Sequence, residues 1–322
     1  MAAMKKTEKI WMNGTWVDWD DARIHVLSHV AHYGSSVFEG IRAYQTANGP
    51  AIFRLEDHID RLFNSAKIYR MAIPYTREQL VQACVDAVAI NRLGECYIRP
   101  LVYRGYAHVG VNPIGTPIDV AVAAYPWGKY LGDDALTQGV AVKVGSWARL
   151  APNTLPVLSK AGGNYLNSQL LKLEAIEDGY AEAIALDVSG YVSEGSGENL
   201  FLVVKGELLT PASHCSVLMG ITRDSILTLA QELGYRVREA VVPRELLYLA
   251  DEVFFTGTAV EVTPVTSVDR IPVGNGERGP VTKAIQDAYF GVVRGEQPDR
   301  HHWRHAVPQV AAATATAAVR RP

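Results

Sequence analysis

Residues 126–139 interrupt the alternation of strand-like and helix-like sequence with a turn-rich segment that holds one Pro, three Gly and two adjacent Asp. Such a composition is typical of a crossing between domains. A chain of 322 residues can form about two domains of ~150 residues, each with its own core. We therefore predict a first domain over residues 1–126, an interdomain loop over 127–138 and a second domain over 139–309. The Ala/Thr-rich residues 310–322 are predicted to be a disordered tail.

The first half is predicted to mix strands and helices. After a turn at Asn13–Gly14, strands are expected over 37–44, 97–105 and 118–125. A helix is expected where apolar residues recur at helical spacing, at Leu55, Ile59, Leu62 and Ala66. A second helix is expected over 76–91, with Thr76 as its N-terminal cap.

Strands dominate the second half of the chain. Together with the strands and helices of the first half, this predicts a mixed α/β (α+β) fold class. Strands are expected over 140–146, 182–187, 199–204 and 208–211, with a turn at Lys205–Gly206. Helices are expected over 164–179, 222–234 and 281–290.

Composition and charge exclude several classes of protein. The 31 Lys and Arg nearly balance the 34 Asp and Glu, giving a net charge of -3, and no polybasic run occurs, so nucleic-acid binding is not expected. No apolar stretch approaches the ~20 residues of a membrane helix, and no secretory signal is visible. The three cysteines are few and scattered, which fits a reducing compartment. We therefore expect a cytoplasmic protein.

Lys160 and Glu194 are candidates for chemistry. Lys160 lies between an apolar run and Gly162–Gly163, and glycines let backbone and ligand approach closely. In a desolvated pocket a lysine can lose its proton and attack a carbonyl, as Schiff-base chemistry requires. Glu194 begins a Gly-rich turn that enters a strand. For each residue a solvated surface position is the alternative that the segment alone leaves open.

Two segments could bind anions through backbone N–H groups. Gly220-Ile221-Thr222-Arg223 opens a predicted helix, with Thr222 as its N-cap, and helix N-termini attract anions. Thr256-Gly257-Thr258-Ala259 follows a buried strand and offers a second set of donors. The two segments together suggest two bound anions.

Strand parity places some polar side chains together. Tyr97 and Arg99 share a face of their strand, so they could present a phenol and a guanidinium to one cavity. By the same count, Phe38, Gly40 and Arg42 share a face of the strand over 37–44.

Two groups of histidines have no complete metal-binding pattern. One is His25, His29 and His32, in a sequence too rich in β-branched residues to favour a helix. The other is His301, His302 and His305, expected to be solvated beside the tail. We predict no metal site.

Taken together, these segments resemble the branched-chain amino acid aminotransferases, which are fold type IV enzymes that use pyridoxal 5'-phosphate (PLP). The resemblance runs from about Ile10 to Trp303, and Glu194 to Phe201, Leu208 to Thr210 and Leu218 to Arg223 match the fold type IV signature in order and spacing. Further matching motifs are His32-Tyr33-Gly34, Val37 to Arg42, Tyr97 to Pro100, Gly110 to Pro113, Tyr125 to Gly128 and the Lys160 segment. The implied fold has a smaller N-terminal α/β domain and a larger C-terminal β-rich pseudo-barrel domain with flanking helices.

The resemblance implies a set of cofactor contacts. Lys160 would form the Schiff base with PLP and then move a proton between the substrate Cα and the cofactor C4′. Glu194 would pair with the pyridine nitrogen, and Tyr165 with the phenolic oxygen. The phosphate would be held by Arg61, the N–H groups of Ile221 and Thr222, and the Thr258 hydroxyl. Helical periodicity alone predicts Arg61 to be solvated, opposite the apolar face of its helix.

The implied reaction is reversible amino transfer between Leu, Ile or Val and 2-oxoglutarate, by a ping-pong mechanism. One pocket must then accept an apolar side chain and, in turn, a carboxylate that needs a nearby cation. By resemblance, Arg99 supplies that charge, and Gly40 leaves space for branched side chains. The implied apolar wall consists of Phe38, Tyr165, Trp127 and Tyr130, with the partner subunit's Tyr33 and the partner subunit's Val111. The substrate α-carboxylate would bind Tyr97 and the N–H groups of Thr258 and Ala259.

Residues donated across a subunit boundary imply a homodimer as the minimal active unit, and they leave open a larger assembly such as a hexamer. Residues 103–108 depart from the family, where smaller or less basic residues are expected before Gly110–Val111. Alternative fold type IV activities are a D-amino acid transaminase, an amine transaminase and an aminodeoxychorismate lyase. Outside the enzymes, the alternative is a non-catalytic protein that binds phosphate ligands.

Overall fold

Residues 4–128, 130–132 and 134–308 are described by the computed structural model of the chain. They fall into two units, of which the first contains the chain up to Trp127, Ser159–Gly163 and the segment from Val292 onward. The second unit contains Gly128–Leu158 and Asn164–Gly291. Ser159–Gly163 and residues 292–308 lie in the predicted second domain over 139–309 but in the first unit of the structure. The predicted tail over 310–322 lies outside the described residues.

The secondary structure alternates strands and helices in both units. In chain order the strands are β1 (Lys9–Met12), β2 (Thr15–Asp18), β3 (Ser36–Phe38), β4 (Ile41–Thr46), β5 (Gly49–Phe53), β6 (Cys96–Arg104), β7 (Ile118–Tyr125), β8 (Val140–Val144), β9 (Glu182–Leu186), β10 (Val192–Gly195), β11 (Asn199–Val204), β12 (Glu207–Pro211), β13 (Val237–Ala240), β14 (Glu252–Gly257), β15 (Glu261–Val268), β16 (Ile271–Pro272) and β17 (Arg304–Ala306). The helices are α1 (His29–Tyr33), α2 (Leu55–Ile68), α3 (Arg77–Ile90), α4 (Ala135–Gln138), α5 (Tyr165–Glu177), α6 (Ile221–Glu232), α7 (Leu246–Leu249) and α8 (Pro280–Val293). Short 3-10 turns cover Trp19–Asp21, Gly162–Asn164 and Ser213–Cys215.

The first unit contains a sheet in the order β17-β5-β4-β6-β7-β1-β2, and β3 also pairs with β6. The predicted turn at Asn13–Gly14 is confirmed, because both residues have positive φ, 51° and 88°, and join β1 to β2. The apolar series Leu55, Ile59, Leu62 and Ala66 is buried in the core along α2. Thr76 caps α3 as predicted: its hydroxyl accepts from the N–H of Gln79, whose side chain accepts from the N–H of Thr76.

The expected single strand over 37–44 is wrong, because the chain leaves the ladder at Glu39–Gly40. Val37 pairs with Val102 in β6, and pairing resumes at Ile41 with Ile98. Pro100, which has no N–H to donate, lies opposite the break and accepts from the N–H of Glu39. The register is the same on both sides of the break, so Phe38 and Arg42 lie opposite Leu101 and Tyr97, and the predicted common face of residues 38, 40 and 42 is confirmed.

The second unit contains a nine-stranded sheet in the order β10-β9-β8-β15-β14-β11-β12-β13, with β16 beside β15. The predicted turn at Lys205–Gly206 is confirmed as the hairpin between β11 and β12. The three predicted helices of this half correspond to α5, α6 and α8. The expected N-cap of α6 is wrong: the cap is Gly220, and Thr222 is a buried residue of the first turn. Gly220 lacks a side chain, so the first-turn N–H groups of α6 receive no side-chain cap.

No helix in the described ranges is long and apolar enough to cross a membrane. The three cysteines, Cys84, Cys96 and Cys215, are buried and not bonded to one another. Within these ranges, no three His, Cys, Asp or Glu side chains form a group that could hold a metal ion. His305, expected to be solvated, lies in β17, and its Nδ1 is 2.7 Å from Glu56 Oε1.

Candidate active site

The backbone around Lys160 is fixed within the first unit. The carbonyl of Lys160 accepts from the N–H of Phe38, and its own N–H donates to the hydroxyl of Ser65 in α2 at 3.0 Å. A Cβ at Gly162 would lie 2.4 Å from the hydroxyl of Ser36, so a larger residue here would displace the Ser36 side chain. The lysine is therefore held between β3 and α2.

Aromatic rings and a second cation, Arg99, are brought together beside this lysine. The Nζ of Lys160 lies 5.3 Å from the ring centre of Phe38, and the guanidinium carbon of Arg99 lies 4.6 Å from the same ring. Arg99 is also 5.1 Å from the ring of Tyr97, so the predicted common face of these two residues in β6 is confirmed. The ring of Trp127 is 4.8 Å from that of Tyr97. Apolar surface and positive charge thus occur side by side.

Gly40 gives Tyr97 the room to occupy this place. A Cβ at Gly40 would lie 1.9 Å from the hydroxyl oxygen of Tyr97. Any larger residue at position 40 would therefore displace the phenol. This steric requirement is separate from the space for branched substrates that we predicted for Gly40.

Arg61 is tied to a buried carboxylate, so the periodicity-based expectation of a solvated arginine is wrong. The side chain of Arg61 is 14% exposed, and its Nε and Nη2 donate to the two oxygens of Glu39 at 2.7 and 2.8 Å. His58 Nδ1 lies 2.7 Å from the second of these oxygens. Burial would raise the pKa of Glu39, but Arg61 and His58 together lower it, so the carboxylate is ionised.

Three polar residues of α2 that make buried contacts lie on one side of the helix. His58, Arg61 and Ser65 are spaced by three and four residues, which places them on one face beside the apolar stripe. Ser65 binds the backbone of Lys160, and the positive charge of Lys160 contributes to lowering the pKa of His58, although burial is the larger cause. This face of α2 is therefore directed towards Lys160.

In the second unit, Glu194 is buried, so the alternative of a solvated turn glutamate is wrong. Its side chain is 7% exposed. One oxygen accepts from Arg149 Nη2 at 2.6 Å, and the other from Asn199 Nδ2 and the N–H of Leu218, both at 3.0 Å. These donors fix both oxygens and stabilise the negative charge.

Arg149 links Glu194 to the start of α5. Its Nη1 donates to Asn167 Oδ1 at 3.0 Å and reaches Ser168 Oγ at 3.4 Å, both in the first turn of the helix. That helix begins at Tyr165, the predicted partner of the phenolic oxygen. Arg149 therefore joins Glu194 to the first turn of the helix that begins at Tyr165.

The two predicted anion-binding segments are both in the second unit. Ile221 and Thr222 form the first turn of α6, which follows Leu218, a donor to Glu194. Thr258 and Ala259 lie in the tight turn between β14 and β15. Thr256, near the end of β14, pairs with Asn199 at the start of β11. Asn199 donates to Glu194, so the turn that follows β14 lies near this carboxylate. The four residues predicted to bind anions thus lie on adjoining elements.

Tyr130 lies near a second buried acidic group. The Nζ of Lys172 is 5.5 Å from the Tyr130 ring and donates to Glu182 at 2.8 Å. Burial and the neighbouring Glu182 raise the pKa of Glu198 well above its usual value.

Tyr33 and Val111 are not part of the cluster around Lys160. They are 41% and 86% exposed, and His29 connects their segments, with its ring 4.5 Å from that of Tyr33 and its Nε2 3.1 Å from the carbonyl of Gly110. The unusual Arg104 is buried, and its Nη2 donates to the carbonyl of Tyr69 at 2.9 Å. It therefore anchors the base of the loop that carries Val111.

Comparison with known proteins places the chain in a family. The sequence model of the family described as amino-transferase class IV matches residues 36–268. The chain is a class IV aminotransferase. The matched range of this aminotransferase contains Lys160, Glu194 and both anion-binding segments.

Relatives of this class IV aminotransferase match it over nearly its whole length. The branched-chain-amino-acid aminotransferase of Escherichia coli (strain K12) is 55% identical over 306 residues, covering 95% of this chain and 99% of that protein. A crystal structure of the Escherichia coli branched-chain amino acid aminotransferase superimposes with a TM-score of 0.93 at 55% identity, covering 94% of this chain and 100% of that one. The T.th. branched-chain amino acid aminotransferase complexed with N-(5'-phosphopyridoxyl)-L-glutamate gives a TM-score of 0.90 at 48% identity, with coverages of 94% and 99%. These similarities confirm the mixed α/β fold type IV architecture that we predicted.

Sequence reasoning missed the residues that hold the predicted ligands in place. These are Glu39, His58, Ser65, Arg149 and Asn199. The polar series at 58, 61 and 65 carried a usable signal, because a polar stripe next to an apolar one marks a second buried face of a helix. Arg149 carried no such signal, since its partner is 45 residues away in sequence.

Proposed function

We propose that this chain is a branched-chain L-amino acid aminotransferase that moves amino groups reversibly between Leu, Ile or Val and 2-oxoglutarate in a ping-pong reaction. The observation that best supports this activity is that Lys160, Phe38 and Arg99 lie together. An amino-transfer lysine, an apolar ring and a cation are what alternate binding of an apolar and an acidic substrate requires. The names of the relatives favour this activity over the D-amino acid, amine and aminodeoxychorismate alternatives.

The residues present fit PLP as the cofactor. A phosphate dianion requires a guanidinium and backbone N–H donors; Arg61 would supply the first, and the first turn of α6 together with Thr258 would supply the others. A pyridinium requires a buried carboxylate, and both oxygens of the buried Glu194 are oriented by donors. When bound, PLP acts as an electron sink for the bond broken at the substrate Cα.

The protein's own side chains position the substrate and move the proton. Lys160 would hold the cofactor aldehyde and, once displaced by the substrate amine, carry the proton at Cα. Tyr165 would orient the ring through its phenolic oxygen. Tyr97 and the N–H groups of Thr258 and Ala259 would fix the substrate α-carboxylate.

The same pocket would accept two kinds of substrate side chain. Phe38, Trp127 and Tyr130 would contact the branched side chain, and Gly40 would leave space for it. Arg99 would bind the distal carboxylate of glutamate. Its position over two aromatic rings supports this proposal, because the rings stabilise the guanidinium without neutralising its charge.

A homodimer is part of this proposal. The surface around Tyr33 and Val111 also exposes Val26 and Ile114, at 74% and 80%, and such apolar patches mark protein interfaces. The partner subunit's Tyr33 and the partner subunit's Val111 would complete the apolar wall. Sedimentation velocity should give at least a dimer and will show whether dimers join into a hexamer. A cytoplasmic location, supported by the free buried cysteines, belongs to the same proposal.

The proposed reaction is tested by supplying 2-oxoglutarate with L-leucine or with D-alanine and measuring glutamate formed. We expect rapid turnover with L-leucine and little with D-alanine. Faster turnover of D-alanine would refute the branched-chain assignment.

The lysine is tested in parallel by borohydride reduction and peptide mass analysis. We expect a pyridoxyl adduct on Lys160 in the wild-type chain and none in Lys160→Ala. Lys143→Ala is a matched control, because Lys143 is paired with Glu174 in the second unit and has no place in the proposed site. Absence of an adduct from the wild-type chain would favour the non-catalytic phosphate-binding alternative.

A further inference from the structure

We propose that Glu39 and His58 are positioning residues that aim Arg61 at the phosphate of the cofactor. This inference rests on the proposed function, because it assigns a task to residues behind one of its predicted ligands. The side chain of Glu39 binds Arg61 and His58, so it would act on the cofactor through Arg61.

Glu39 is buried between the sheet of the first unit and α2. It occupies the break between β3 and β4, where its N–H donates to the carbonyl of Pro100. Because the register is unchanged across the break, residue 39 lies on the same face of the sheet as Val37 and Ile41, and on this face its carboxylate meets α2. The whole residue is buried, with 0% exposure. Burying a carboxylate is costly unless cations and donors surround it, so its presence here needs an explanation.

Arg61 and Glu39 form an ion pair with two hydrogen bonds. Nε and Nη2 of Arg61 meet the two carboxylate oxygens at 2.7 and 2.8 Å, which is a bidentate contact. A guanidinium is planar and rigid, so fixing this edge also fixes the direction of Nη1. A long, rotamer-rich side chain is thereby held in one orientation before a ligand binds.

His58 contacts the same carboxylate of Glu39. An ionised carboxylate only accepts hydrogen bonds, so Nδ1 of His58 carries the proton in its 2.7 Å contact with Glu39. Burial lowers the pKa of His58 more than Glu39 raises it, so the ring is neutral. A neutral donor orients Glu39 without competing with Arg61 for its charge.

Arg61 lies on the face of α2 that contacts the backbone of Lys160. Arg61 is four residues before Ser65, whose hydroxyl accepts from the N–H of Lys160. Arg61 therefore lies one turn from the contact that holds the candidate Schiff-base lysine.

The test compares PLP with pyridoxal, which lacks the phosphate. Both are titrated into the full-length chain after removal of its cofactor, and tryptophan fluorescence reports binding. For Glu39→Gln we expect PLP to bind about 10- to 100-fold more weakly, with pyridoxal affinity changed less than about twofold. Equal losses for PLP and pyridoxal would overturn the proposal, because a merely structural pair would affect both ligands.

A double-mutant cycle gives a second reading. Arg61→Met should weaken PLP selectively, and adding Glu39→Gln to it should cause no further selective loss, since the clamp then has nothing to aim. Additive losses would contradict the proposal.

Two further variants protect the test. Glu39→Asp keeps the charge with a shorter reach, so a smaller but still PLP-selective loss is expected even if the glutamine variant does not fold. Glu95→Gln is a matched control, because Glu95 also binds a buried arginine, Arg42, at 2.6 Å, and it should leave both affinities unchanged. Failure of the proposed function would appear in the wild-type chain as the absence of an adduct on Lys160, whereas failure of this inference changes only the ratio of the two affinities.

Discussion

Glu39 in the first unit and Glu194 in the second are both buried carboxylates bound to an arginine, but the two pairs are arranged in opposite order. At Glu39, the arginine is the predicted ligand, and the carboxylate stands behind it. At Glu194, the carboxylate is the predicted ligand, and Arg149 stands behind it. The difference follows the charge of what each pair is proposed to bind.

The supporting contacts differ in the same sense. Glu39 receives two bonds from its arginine and one from a neutral histidine, so the carboxylate of this pair serves to orient a cation. Glu194 accepts from Arg149 and from two neutral donors, Asn199 and Leu218, so its negative charge is shared with fewer cationic bonds among those described. A buried ion pair can therefore present either sign, depending on how its hydrogen bonds are divided.

The largest expected effect is that of Glu194→Gln. The amide carries no charge, so the pyridine nitrogen would lose its proton and the cofactor would accept electrons poorly. Transamination of L-leucine should fall by at least about 100-fold, while PLP remains bound. The measurement is the single-turnover rate together with the cofactor content of the protein.

Arg149→Met sharpens this prediction, because it removes the support but leaves the carboxylate. Its loss should be smaller than that of Glu194→Gln. An equal or greater loss would mean that the arginine, and not the glutamate, supplies the decisive charge. Unchanged turnover in Glu194→Gln would exclude the proposed pairing altogether.

The next effect concerns Arg99, whose guanidinium lies over two rings. Arg99→Ala should lower kcat/KM for glutamate by about 10- to 100-fold, because the distal carboxylate loses its cation. For leucine the loss should be only a few-fold. The two half-reactions are measured separately under single-turnover conditions, and equal losses would argue against the substrate contact.

The smallest effect is on stability and its pH dependence. Since burial lowers the pKa of His58 from its usual 6.5, the unfolded chain binds more protons at this residue than the folded chain does. The contribution of His58 to folding stability is therefore lost as the pH falls from above 6.5 towards the lower pKa that His58 has in the folded chain. In His58→Asn, whose amide can still donate to Glu39, the decline between about pH 7.5 and 5 should be shallower.

Denaturant unfolding of the cofactor-free chain across that range checks the stability prediction. The lowered pKa of Glu39 acts in a separate and more acidic window, since its stabilisation is lost only as the pH falls below the usual 4.5. His302→Asn is the control, because His302 is exposed and its φ of 55° suits asparagine. A slope in His58→Asn as steep as that of this control would show that His58 is not held neutral.

Much of the fold was predictable from local signals. The apolar series of α2, the Thr76 cap and the Gly turns each depend on residues within a few positions of one another, and all are confirmed. The break at Glu39–Gly40 was not predictable in this way. It depends on Pro100 and Tyr97, which meet it from another strand.

The sequence by itself determined the class of the protein: the order and spacing of the motifs around Lys160, Glu194 and Thr222 identify the family, because each is a short continuous segment. Tertiary structure alone decided how those residues are supported. Glu39 reaches Arg61 over 22 positions and Arg149 reaches Glu194 over 45. Burial and hydrogen bonding at such separations depend on which surfaces the fold brings into contact, and no local pattern of residues records that.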